Sequence, residues 1–238
     1  MGTKLSDLVT DTELFLKQFG GCAGIDTAKK YQLAKELWEY FCMDAHPFHE
    51  PLLTFNSGAT DPPPWQFELD NTAYWTSTRW SPGNPVRVAA VHEFLDEDVR
   101  LRAYAWDSYD AGFSRIDRTT PSSRPTGWVQ YDRRLIAFTP RLTANKVLAV
   151  RCWVIPIEID LASGTVGDTL LPLRPEWLDE YRQCLASRFL KHLKRGDILT
   201  VQQDLQSVER AFFRNIRSEY GTLDNNLFDA PRRPGVWA

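Results

Sequence analysis

The sequence predicts an α+β protein: an antiparallel helical bundle of two N-terminal and two C-terminal helices, an inserted antiparallel β module, and an extended C-terminal tail. Three observations predict it. Apolar residues recur at helical spacing near both ends of the chain. Period-two alternation and turn residues dominate its middle. The last residues follow neither period. The resulting divisions are 1–50 for the N-terminal helices, 51–160 for the β-rich insertion, 161–221 for the C-terminal helices and 222–238 for the arm.

Leu5 to Phe19 reads as the first helix, with Leu8, Phe15 and Phe19 on one face and Gly20-Gly21 as its stop. Asp26 or Thr27 then caps a second helix by accepting an orphan backbone N–H. Tyr31, Ala34, Leu37, Trp38 and Phe41 form its apolar stripe, and Pro47 lies just past its end. From Pro51 to about Pro156 the chain is β-like. Pro62-Pro63-Pro64, Ser81 to Pro85 and Pro121 to Gly127 are loops. The strand candidates are Val86–Phe94, Val99–Trp106, Trp128–Phe138 and Lys146–Glu158. In the last of these, Leu148, Val150, Cys152 and Val154 alternate with Val147, Ala149, Arg151 and Trp153. Phe138 to Asn145 reads as a hairpin loop, with Pro140 ending one strand.

Helix returns at Pro175, a residue suited to a first turn because its missing N–H would be unpaired there anyway. Trp177, Tyr181, Cys184, Leu185, Phe189 and Leu193 follow the helical period as far as Gly196. Val201, Leu205, Val208, Phe212, Ile216 and Tyr220 mark a final helix, which Gly221 is expected to stop. Thr222 to Ala238 has no core-forming period and reads as an extended arm that orders on a partner. Arg232, Arg233, Val236 and Trp237 are its candidate anchors, since Arg and Trp are residue types that dominate interface energetics.

The 238 residues are 43% hydrophobic and 25% charged, ordinary values for a soluble globular protein long enough to build a sizeable core. The net charge is −3, with no basic block of the kind that grips phosphate backbones. Cys22, Cys42, Cys152 and Cys184 are scattered and read as reduced, mostly buried thiols of a cytosolic protein. Met1 to Asp11 has no apolar h-region, so no signal peptide is expected. No apolar run is long enough to predict a transmembrane helix.

Three chemical alternatives compete. Cys42, His46, His49 and Glu50 could form a metal site or a thiol–imidazole pair. Four zinc ligands in spaced pairs are lacking, however, and Pro47 breaks the register between Cys42 and His46. Asp96-Glu97-Asp98 and the pair Asp107 and Asp110 could be catalytic carboxylates, but both read as charged turns. Trp65, Trp75, Trp80, Trp106 and Trp128 could stack on sugar rings, or fill a β core. No phosphate-cradling glycine loop and no nucleophile elbow is present. Accordingly no catalytic residue, metal ligand or cofactor is assigned, and the chain is not expected to be an enzyme.

The run Leu170-Leu-Pro-Leu-Arg-Pro-Glu-Trp-Leu-Asp-Glu-Tyr-Arg-Gln-Cys-Leu-Ala-Ser-Arg-Phe-Leu190, followed by Asp204 to Tyr220, resembles the terminal helix pair of tailed-phage head-to-tail adaptors. These are also called tail tubular or head-completion proteins. The phrase Tyr131 to Pro140 and the strand after it are similar to the hairpin that precedes those helices. The resemblance implies a structural virion protein at the head–tail junction, assembled in the host cytoplasm. Its partners would be further copies in a ring of about a dozen subunits, the portal protein, and a tail nozzle or other tail protein. DNA would pass through the ring without sequence-specific binding, and no membrane would be involved. The arm with Arg232, Arg233, Val236 and Trp237 would dock on the portal.

Overall fold

A computed structural model describes residues 2–45, 47–58, 60, 63–69, 71–76, 84–93, 96–104, 119–130, 135–193 and 199–228. The fold is α+β, as the sequence predicts. The chain divides into two compact units. The first joins Met1–Pro47 to Glu158–Leu223, and the second is built on Phe48–Ile157.

The helical unit contains α1 (Leu5–Lys17), α2 (Thr27–Ala45), α3 (Leu178–Leu193) and the greater part of α4 (Leu199–Phe228). Helix α1 ends as its two glycines require. Gly20 and Gly21 both take positive φ, and the Gly21 amide donates to the Leu16 carbonyl at 2.8 Å. Its buried face is Leu5, Leu8, Val9, Thr12 and Leu16. Phe15 and Phe19 are only half-buried and meet each other edge to face, so the apolar stripe lies rotated from the one the sequence suggested. Asp26, not Thr27, caps α2: its carboxylate accepts from the Lys29 amide at 2.7 Å. The buried face of α2 holds Ala34, Leu37, Trp38 and Phe41, and also Leu33, Cys42 and Ala45, while Tyr31 is half-buried. Lys30 pairs with Glu13 of α1 at 2.7 Å.

A 3-10 turn at Pro175–Trp177 leads directly into α3, with proline in the first turn as predicted. Tyr181, Cys184, Leu185, Phe189 and Leu190 are buried along α3, and Leu205, Phe212, Phe213 and Ile216 along α4. Their centre is Phe41, whose ring lies 5.5–5.8 Å from those of Trp177, Tyr181, Phe212 and Phe213. One phenylalanine therefore joins α2, α3 and α4. The two ends of the unit's sequence are further tied by a short ribbon. Strand β1 (Thr3–Lys4) pairs antiparallel with β13 (Leu170–Leu171). Beside it Lys4 donates to Asp168 at 3.0 Å, which raises the Lys4 pKa through that hydrogen bond and the carboxylate charge.

Helix α4 corrects the sequence reading. It passes through Gly221 and runs to Phe228, so Thr222 to Phe228 is helical and not extended. A glycine costs only about 1 kcal/mol in a helix interior. Once the residues from Leu199 to Tyr220 are helical, each further residue adds a hydrogen bond without a new nucleus. The remainder of the predicted arm, with Arg232, Arg233, Val236 and Trp237, lies outside the described residues.

The β unit holds two main sheets. One is antiparallel, in the order β4 (Trp75–Thr76), β2 (His49–Asn56), β12 (Val147–Ile155), β5 (Asn84–Glu93), β6 (Asp96–Arg100). The other runs β3 (Gln66–Glu68), β10 (Leu135–Thr139), β9 (Gly127–Gln130), β7 (Arg102–Ala103). Two short pairs, β7 with β9 and β8 (Pro121–Ser122) with β11 (Arg141–Leu142), are parallel. Strand β12 is central, and Leu148, Ala149, Val150, Cys152, Trp153 and Val154 are all buried, so both its faces are covered. Phe55 from β2 packs against Phe67 of β3 and Phe138 of β10, at 5.0 and 5.2 Å between ring centroids, which joins the two sheets.

Three readings are corrected here. Trp128–Phe138 is not one strand; it contains β9 and β10, paired antiparallel. Phe138 to Asn145 is not a hairpin loop, because β10 and β12 belong to different sheets. Asp96-Glu97-Asp98 is not a turn but the start of β6, paired with β5. Residues 49–56, with Pro51 among them, form β2. Val150 stands opposite Leu53 while Cys152 stands opposite Glu50, so Pro51 and Leu52 together oppose Arg151. That is a β-bulge, a place in a sheet interior where a proline without an N–H is tolerated.

Candidate functional site

Cys42 is fully buried on α2, and burial pushes its thiol well above 9.0. A nucleophilic cysteine needs the opposite shift, toward thiolate at neutral pH. His46 lies outside the described residues. His49 begins β2, in the β unit, while Cys42 belongs to the helical unit. No group of three or more His, Cys, Asp or Glu poised to hold a metal occurs among the described residues. Asp107 and Asp110 lie outside those residues. Of the aromatic residues offered as a sugar platform, Trp75 and Trp128 are buried and Trp65 is half-buried, which places the first two in the β core. Trp80 and Trp106 lie outside the described residues. No described helix is long and apolar enough to cross a membrane.

The buried thiols and Tyr181 form an alkali-sensitive cluster. Burial raises Cys184 far above its ordinary 9.0 and Tyr181 well above 10.0, with the Cys42 and Cys184 charges adding to the Tyr181 shift. Folded, these groups keep their protons. Unfolded, the thiols ionise around 9.0, so above that pH the unfolded chain binds fewer protons. Stability is therefore expected to be insensitive to these groups below pH 9.0 and to fall as pH rises beyond it. Urea denaturation across that range checks this. A Cys42→Ala variant should show a shallower alkaline loss, and an identical slope in the two proteins would contradict the burial argument.

The helical unit carries a surface groove of about 640 Å³, lined from α2, α3 and α4. Five basic side chains line it: Arg188, Lys191, Arg210, Arg214 and Arg217. Only two carboxylates do, Asp44 and Glu209. Two of the cations are already engaged. Arg188 donates to Glu209 at 2.9 Å, and its guanidinium lies 5.2 Å from the Tyr40 ring centroid. Arg217 pairs with the Asp44 carboxylate, and its Nε donates to the Asp44 carbonyl at 3.2 Å. That carbonyl belongs to the last turn of α2, where the helix dipole favours a cation.

Lys191, Arg210 and Arg214 are exposed and have no carboxylate partner among the described residues. Arg210, Arg214 and Arg217 sit at i, i+4 and i+7, so they share one face of α4 within about 10 Å along its axis. Tyr40 is 39% exposed and its ring lies 5.2 Å from that of Phe213. The apolar stripe of α4 does not by itself reveal this groove. The same periodicity on the opposite face, three arginines at helical spacing, was the available signal for this groove. No protein-family model matches this chain, and no curated protein is significantly similar to it.

Proposed function

We propose that the chain is a structural adaptor subunit of a tailed-phage head-to-tail connector. In this reading it acts by assembly, forming a ring between the portal and the tail that lengthens the DNA channel, with its terminal segment as the portal-docking element. The observation that carries the reading is the order of elements. A helix pair, a β unit compact in itself and a second helix pair span the chain, and the second pair is the run that resembles the adaptor helices. The burial of Cys42 and its raised pKa count against the thiol-enzyme alternative. The buried Trp75 and Trp128 count against a sugar-stacking platform. The test is cryo-electron microscopy of virions from the source of the chain, with the density between portal and tail traced against this sequence. A ring of this chain in contact with the portal is the expected result. Its absence from the purified virion overturns the proposal.

A further inference from the structure

We infer that the groove between α2, α3 and α4 is a docking site for a short acidic peptide segment of a partner protein. This goes beyond the adaptor reading and does not depend on it. Charge complementarity carries the inference. A chain of net charge −3 gathers five cations around one groove and leaves Lys191, Arg210 and Arg214 exposed without carboxylate partners among the described residues. The groove also offers apolar contact through Tyr40, which is 39% exposed and whose ring is backed by the buried Phe213. Arginine and tyrosine together are the residue types that anchor protein interfaces.

Nucleic acid fits the groove less well. Duplex DNA carries one charge per roughly 1.7 Å, and proteins that hold it commonly make about 6–10 phosphate contacts. Three open cations supply too little counterion release for that grip. Asp44 and Glu209 in the same lining would also repel a continuous phosphate backbone. A peptide with two or three carboxylates and one apolar side chain avoids both difficulties. Its acidic groups would meet Lys191, Arg210 and Arg214, and the apolar residue would rest on Tyr40.

The full chain would be titrated at low salt against a fluorescein-labelled octapeptide of alternating acidic (Glu, Asp) and apolar (Phe, Leu) residues, and in parallel against a labelled single-stranded oligonucleotide. Binding of the peptide is expected to weaken as salt rises. Reversing two charges, Arg210→Glu with Arg214→Glu, is expected to lower peptide affinity at least about tenfold while the circular dichroism spectrum stays unchanged. Reversal at the exposed Lys17 of α1, outside the groove, should leave the affinity as it was. Three outcomes overturn the inference: no salt-sensitive peptide binding, binding untouched by the double reversal, or tighter oligonucleotide binding lost on that same reversal. The last would assign the groove to nucleic acid.

Discussion

Phe41→Ala is expected to lower the stability of the helical unit by about 4 kcal/mol, read as a shift of the urea midpoint followed by far-UV circular dichroism. The side chain is fully buried. Truncation forfeits the transfer free energy of the ring and leaves a cavity among groups that cannot all close in. Trp177 and Tyr181 come from one stretch of chain and Phe212 and Phe213 from another, and Phe212 lies flat against Phe41 with an interplanar angle of 4°. Each aromatic pair adds about 0.5–1.5 kcal/mol beyond area burial. Phe41→Leu should recover more than half of the loss, because it restores most of the volume without the ring contacts. A loss under about 1 kcal/mol for the alanine variant would mean that α4 collapses into the space, and that Phe41 is not the centre of this core.

Gly127→Ala is the second large effect, and it acts in the β unit by the opposite mechanism. Strand β9 lies so close to β7 that an added Cβ would stand 2.7 Å from the Arg102 carbonyl oxygen and 2.1 Å from Cε2 of Tyr104. The Tyr104 ring can turn away; the carbonyl cannot move without spoiling the pair. The Arg102 amide donates to Thr126 at 3.1 Å and the Tyr104 amide to Trp128 at 2.9 Å, and these bonds hold β7 in place. One methyl group is therefore expected to cost about 1–3 kcal/mol and to remove hydrogen-exchange protection at Arg102 and Tyr104. Adding Tyr104→Ala should recover only part of the loss, since the backbone contact remains. Full recovery in the double variant would show that the ring alone sets the constraint.

The helices were legible in the sequence because their signals are local. The Gly20-Gly21 stop, the Asp26 cap and the Pro175 start each act within one turn, and each is found where it was read. The β unit was only partly legible because its decisions are not local. Strands β3 and β4 have three and two residues, too few to show a period, and exist because β10 and β2 lie beside them. Whether β10 and β12 pair depends on sheet membership, which no alternation within either strand encodes. The bulge that accommodates Pro51 opposite Arg151 exists only through the pairing of β2 with β12. For the surface, the arginines of α4 were visible in the sequence. Their meeting with Tyr40 and Asp44 was not, because α2 and α4 are far apart in sequence and meet only through tertiary packing such as the Phe41 core.

The helical unit is written in two pieces, and this has a consequence for synthesis. Its first piece ends at Pro47, and its second begins at Glu158. A ribosome adding about 5–20 residues per second needs roughly 5–20 s to produce the intervening β unit. For that interval α1 and α2 have left the exit tunnel without the partners of Leu37, Trp38 and Phe41. The β unit, whose strands all lie on the continuous segment Phe48–Ile157, is the first part that can close its own core. The N-terminal helices are thus nascent-chain segments with an open apolar stripe, and the stretch of translation before Phe212 emerges is when this protein most needs a chaperone.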